Sequence, residues 1–250
     1  MRPEIKIYGE RNTGTNFLFK LLRLNLNANL LRGVVPWYVR IPFPQNETVR
    51  DLYFELTFGQ NLGWKHRLAP SPDAVRETRI YSDRLFFVTL TKNPYSWLLS
   101  LYRRPHHYQG ELGTFQQFLN APWATVRRAK ASSEFPNPII MWNKKNAAFL
   151  GLRAGVPTAT LRYEDLLADP ERTLSKVAAQ FSVERSRSHF ENVTTSTKEK
   201  DGGKGFDYYQ QYYLREQWKT ELQPAALRII NENLDFDLMS QFGYERLEDA

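Results

Sequence analysis

Apolar positions along this chain switch between two periods, and the order of the switches predicts its elements. Residues 5–8 are a short β-rich run, 9–14 a turn, and 15–26 carry Phe17, Leu18, Leu21, Leu22 and Leu26 at helical spacing. Residues 84–91 form a continuous apolar run, the pattern of a parallel strand buried on both faces. Lys92-Asn93-Pro94 leads from it into a helix over 95–103, with the proline suited to the first turn because its missing N–H has no partner there anyway. A helix over 137–152, a strand over 158–162 and a helix over 172–181 follow, the last with Asp169 as cap and Pro170 at its first position.

The remaining stretches are less periodic. Residues 33–60 are rich in Pro, Trp, Tyr and Phe without a helical repeat; they read as an irregular segment, either lining an acceptor pocket or forming an aromatic-anchored surface loop. Residues 61–67 read as a short element and 73–78 as a helical turn. The polar stretch 194–205 predicts a mobile loop, after which two helices, 208–221 and 224–233, precede a short tail ending at Gly243-Tyr244. Strand followed repeatedly by helix predicts an α/β fold: a single domain over residues 1–250, with a central, mostly parallel sheet flanked by helices.

Composition narrows the chemistry. With 250 residues, 42% of them hydrophobic, the chain can bury one sizeable core. It has no cysteine, which excludes disulfides, thiolate metal sites and a cysteine nucleophile, and fits a reducing compartment. Without a signal-like or membrane-length apolar run, a cytoplasmic protein with no transmembrane segment is expected. The net charge of +7 favours anionic ligands, but the basic residues are scattered rather than blocked, so nucleic acid is not the expected partner. Oligomeric state is unknown from the sequence.

Three clusters carry candidate chemistry. In Gly9-Glu10-Arg11-Asn12-Thr13-Gly14-Thr15-Asn16, small residues let backbone N–H groups approach a phosphate, the following helix offers its positive end, and Arg11, Thr13 and Thr15 add side-chain donors. This P-loop-like strand-turn-helix lacks the Gly-Lys-Ser/Thr ending that holds phosphate and magnesium, which disfavours an ordinary nucleotide-dependent kinase. A plain capped turn is the alternative. The second cluster is Lys92-Asn93-Pro94 with Ser100, a cation at the carboxyl end of a central strand and a hydroxyl eight residues on. The third is Trp64-Lys65-His66-Arg67, where His66 has the side chain whose ordinary pKa suits a general base near neutrality; a surface histidine is the alternative. His106 and His107 sit in a polar turn and His189 in a late loop.

Taken together in this order, the first two clusters resemble the sulfotransferase family that uses the donor PAPS (3′-phosphoadenosine 5′-phosphosulfate). Pro138 to Asn143 (Pro-Ile-Ile-Met-Trp-Asn), Arg162-Tyr163-Glu164-Asp165-Leu166 with Asp169-Pro170, and Phe242-Gly243-Tyr244 are similar to further family segments. The resemblance implies a sulfuryl transfer from PAPS to a hydroxyl or amine of an acceptor such as a glycan or small molecule, leaving 3′,5′-diphosphoadenosine, with no metal expected. It implies that Arg11, Asn12, Thr13, Gly14, Thr15 and Asn16 hold the 5′-phosphosulfate. Lys92 and Ser100 then hold the 3′-phosphate, Tyr163 contacts adenine, and Lys204-Gly205 is similar to a basic glycine loop that closes over the 3′-phosphate. It further implies catalytic roles for His66 as base and for Arg11 with Lys65 in stabilising the leaving group. The chain departs from the family pattern where Asn12 stands in place of the usual lysine and Lys92 in place of arginine, a point charge without the two-pronged fork. These departures are what a non-catalytic nucleotide- or polyanion-binding module would show.

The aromatic residues Trp37, Tyr38, Phe43, Tyr53, Phe54, Tyr102, Tyr108 and the 208–213 cluster are candidates for an acceptor wall, with part of them expected in the core.

Overall fold

A computed structural model describes residues 2–44, 46–106, 111–195 and 203–248. Its main sheet has strands β1 (Glu4–Gly9), β2 (Asn29–Leu30) and β3 (Leu85–Thr91); β4 (Trp123–Ala124) and β5 (Glu134–Phe135) form a separate small hairpin, and β6 (Thr158–Arg162) returns to the main sheet. The main sheet is all-parallel in the order β2-β1-β3-β6, with Gly9 opposite Leu90 and Thr91 opposite Arg162 at the carboxyl ends. From β1 the chain goes first to one side, to β2, and then to the other, to β3. That makes the β1/β3 junction the point where the winding reverses, the place where open α/β sheets bind ligands.

The strands alternate as their period of two requires. Ile5 and Ile7 of β1 and Val88 and Leu90 of β3 pack in one cluster with Phe17, Leu18, Leu21 and Leu22 of helix α1 (Thr15–Asn25). Tyr8 and Phe87 point the other way, their rings stacked 6.2 Å apart, against Phe149 and Leu152. Lys6 shares that second face and is fully buried. It remains there because its ammonium donates to the carbonyls of Arg32 (2.9 Å), Asn61 (2.6 Å) and Gly63.

The other helices are α2 (Trp37–Arg40), α3 (Glu47–Leu56), α4 (Phe58–Asn61), α5 (Pro72–Arg76), α6 (Pro94–Arg103), α7 (Phe115–Asn120), α8 (Pro138–Gly155), α9 (Tyr163–Ala168), α10 (Pro170–Gln180), α11 (Phe206–Leu214), α12 (Pro224–Asn233) and α13 (Phe236–Gln241). Caps begin several of them as the sequence signals: Asn93 accepts from Tyr95 N–H (3.1 Å), Asn137 from Ile140 N–H (2.9 Å) and Asp169 from Arg172 N–H (2.9 Å). Among the described residues, no helix is long and apolar enough to cross a membrane.

Four expectations are corrected. Residues 33–60 are largely helical, because α3 is held by ion pairs from a distant segment: Asp51 takes Arg128 (2.8 Å), and Glu55 takes Arg127 (2.9 Å) and Lys130 (2.8 Å). Residues 61–67 hold no regular element beyond the last residue of α4, since Leu62 and Gly63 both turn into the left-handed region. The helix expected over 208–221 breaks at left-handed Glu216, after which a 3-10 turn, Gln217–Glu221, delivers Trp218 into the core to stack on Tyr95. The tail is not bare, for Asp235 caps α13. Of the 194–205 loop, residues 196–202 lie outside the described residues, as do His107 and Tyr108.

Candidate active site at the β1/β3 junction

The turn after β1 is held from three directions. Gly9 exchanges hydrogen bonds with the third cluster, its N–H donating to Lys65 O (3.0 Å) and its carbonyl accepting from His66 Nδ1 (2.5 Å). Glu10 pairs with the buried Lys145 of α8 (2.9 Å), whose ammonium also donates to His66 O (2.6 Å). Trp97 of α6 donates its indole N–H to Arg11 O (2.8 Å). Asn12 (φ 63°) and Gly14 (φ 89°) both take left-handed backbone, and Gly14 has no side-chain cap behind it, so the first N–H groups of α1 are not used by a cap. Gly14 is also required sterically: a Cβ there would sit 2.5 Å from the Tyr163 ring. Thr13 is buried and donates to Glu10 O (2.6 Å), so its proton serves the turn; Thr15 is buried as well, while Asn16 is exposed.

The base end is rich in cations. Lys65 reaches across to Asn16 Oδ1, and burial together with the nearby Arg11 pulls its pKa down to about 8. Burial likewise draws Arg11 down to about 10, partly opposed by the Glu10 carboxylate, and its guanidinium lies 4.9 Å from the Trp64 ring. His66 stands edge-on to Trp64 (5.0 Å), and burial, Lys65 and Arg11 hold it well below the ordinary histidine range. A carbonyl can only accept, so Nδ1 carries the proton given to Gly9 and Nε2 keeps a free lone pair. Arg11, Trp64, His66, His106, Trp123 and Lys145 line a small pocket of about 30 Å³. Among the described residues no group of three or more His, Asp or Glu side chains is placed to hold a metal ion.

The second cluster closes on the same turn. Lys92, 1% exposed, donates to Ser100 Oγ (2.8 Å) and reaches Asn12 O (3.5 Å) across eighty residues of chain. Its ammonium lies 3.9 Å from the Tyr213 ring and 5.2 Å from the Tyr163 ring. Burial lowers Lys92 to about 7, with the Glu164 carboxylate opposing that shift. Glu164 is itself pushed up by burial, and it accepts from Asn93 N–H (3.0 Å) and from the Tyr244 hydroxyl (2.8 Å). Tyr163 thus connects the two ends, against Gly14 on one side and over Lys92 on the other. Lys204 is exposed and lies 4.4 Å from the Tyr208 ring, while Gly205 immediately precedes α11.

No family model matches the chain, and no curated protein matches its sequence. Its backbone does have a match among solved structures: a sulfotransferase from Alicyclobacillus acidocaldarius aligns over 98% of this chain and 97% of that one, with a TM-score of 0.51 at 12% identity. The fold is that of a sulfotransferase. Two more sulfotransferase domains align over nearly full length: one from the curacin biosynthetic pathway (15% identity, 99% of both chains, TM-score 0.47), and one from the Synechococcus PCC 7002 olefin synthase (16% identity, 97% and 94%, TM-score 0.45).

Within this sulfotransferase fold, several residues at the junction escaped sequence reading. Lys145 on α8 was not singled out, while Glu164 and Tyr213 lie in segments that were, 162–166 and the 208–213 aromatic cluster, without these contacts; each acts through a partner more than seventy residues away.

Proposed function

We propose that this chain is a sulfotransferase that moves a sulfuryl group from PAPS to a hydroxyl or amine acceptor. The observation that carries the reading is the convergence of two separate sequence clusters on the turn over residues 9–14 of the first: Lys65 and His66 through Gly9, and Lys92 with Ser100 through Asn12. This geometry supports one bound molecule with anionic groups at two ends.

PAPS supplies a sulfur joined to its 5′-phosphate through a bridging oxygen; transfer forms a bond from sulfur to the acceptor and breaks the bridging bond. The residues fit that group: the left-handed turn and uncapped start of α1 offer N–H donors, and a Cβ at Gly14 would close the cradle. His66 Nε2 takes the acceptor's proton, a role open to it because the neutral ring gives its Nδ1 proton to Gly9 and leaves Nε2 unprotonated. Arg11 and Lys65 face the same side of the turn and neutralise the charge left on the phosphate oxygen. Lys92 and Ser100 hold the 3′-phosphate, and Tyr163 contacts the adenine, a role supported by its position between Gly14 and Lys92.

The test is transfer of labelled sulfur from PAPS to a panel of hydroxylated and amine acceptors, with Arg11→Ala as the control. Loss of transfer in the variant is expected, and full turnover would overturn the assignment. Calorimetry comparing 3′,5′-diphosphoadenosine with ATP plus magnesium separates this reading from a kinase; nucleotide binding without transfer to any acceptor would leave a binding module.

A further inference from the structure

Tyr213 belongs to the 208–213 aromatic cluster expected as an acceptor wall, yet it sits on the Lys92–Ser100 pair. Its hydroxyl is 3.0 Å from Ser100 Oγ, and its ring is 3.9 Å from the Lys92 ammonium. One assignment of the hydrogens satisfies every contact. Ser100 has one proton, directed to Ser96 O one turn back (2.8 Å), and it accepts from Lys92 (2.8 Å). In that assignment the Tyr213 O–H donates to Ser100. Lys92 and Tyr213, from the end of β3 and from α11, thus aim two donors at one oxygen, within a volume where Tyr213 is 7% and Lys92 1% exposed.

Tyr213 is also fixed in place. It stacks on Tyr209 (13° between rings), meets Tyr163 edge-on (5.2 Å), and its helix is tied to α6 where Tyr212 donates to Glu221 (2.7 Å) and accepts from Arg103 (2.9 Å). A phosphate oxygen that enters between Lys92 and Ser100 meets the Tyr213 hydroxyl as well.

Building on the PAPS reading, we infer that Tyr213 is the third ligand of the donor's 3′-phosphate and sets the preference for a 3′-phosphorylated nucleotide. The geometry demands no new fold: the O–H that meets a neutral hydroxyl in the free protein meets a charged oxygen in the complex, a stronger acceptor.

The experiment compares binding of 3′,5′-diphosphoadenosine and of adenosine 5′-monophosphate by calorimetry, in the full chain and in Tyr213→Phe. This substitution keeps the ring over Lys92, and thermal melting checks its folding. The expected result is a loss of roughly 10-fold or more for the diphosphate, the size of one hydrogen bond to a charged group, with monophosphate binding changed less than about twofold. Equal loss for both nucleotides, or none for either, overturns the role of Tyr213. A full chain that prefers the diphosphate while Tyr213→Phe keeps the preference overturns Tyr213 alone. A full chain with no preference overturns the PAPS reading as well. Tyr213→Leu, which removes the ring too, is expected to lose at least as much selectivity; retained selectivity there also overturns the inference.

Discussion

The two ends of the site contain the same kind of group in opposite surroundings. Lys65 and Lys92 are both lysines whose pKa burial lowers, to about 8 and about 7. Around Lys65 the neighbours are Arg11 and His66, so positive charge accumulates and His66 is kept neutral. Around Lys92 stand two tyrosine rings, a serine and the Glu164 carboxylate, which favours its charged form. Under the proposed function the difference divides the work: crowded cations suit a developing leaving-group charge and keep His66 unprotonated, whereas a cation enclosed by aromatic rings and countered by a carboxylate suits selective binding of an anion.

Breaking each end separately tests that division. The largest effect is expected for His66→Ala, which lowers single-turnover transfer roughly 1,000-fold, within the usual range for a lost general base, and leaves nucleotide affinity nearly unchanged by calorimetry. Next, Lys92→Met weakens 3′,5′-diphosphoadenosine roughly 100-fold while transfer at saturating donor falls far less; a variant that lost transfer but kept affinity would reverse the two roles.

The pH dependence sharpens the comparison further. Lys92 is charged below about 7 and neutral above it, and the phosphate needs the charged form. Affinity measured by calorimetry should therefore fall as pH rises through about 7, by up to roughly tenfold per unit. The charged and titratable groups around it are Glu164, Arg103, Tyr163 and Tyr213, and Lys92→Arg removes the titration. Transfer, by contrast, should lose its base only at pH well below 6.5, where His66 takes up a proton. The smallest effect belongs to a region outside the comparison: Leu56 of α3 is 75% exposed, and Leu56→Gln should shift stability by less than about 0.5 kcal/mol in denaturant unfolding.

Local rules were readable where a few neighbouring residues are enough to apply them. Asn93-Pro94 and Asp169-Pro170 announced their helices, the run ending at Thr91 its central strand, and Gly9 to Gly14 the bend between strand and helix. One further signal was available but went unread, the Thr114–Gln117 capping box that starts α7. Helix α3 also carries a local start, Asn46 accepting from Val49 N–H (3.0 Å), but the cations that anchor its carboxylates lie more than seventy residues onward.

The sequence by itself determined the strand-turn-helix order, the caps and the two periods, since backbone geometry and hydrophobic spacing act within one or two turns of chain. Only the tertiary structure decided which side chains meet. The parallel order β2-β1-β3-β6 brings the ends of β1 and β3 side by side, so Lys92 reaches Asn12 and Tyr213 reaches Ser100 across 80 and 113 residues. Contacts of that span are set by how whole elements pack, and no local pattern encodes them.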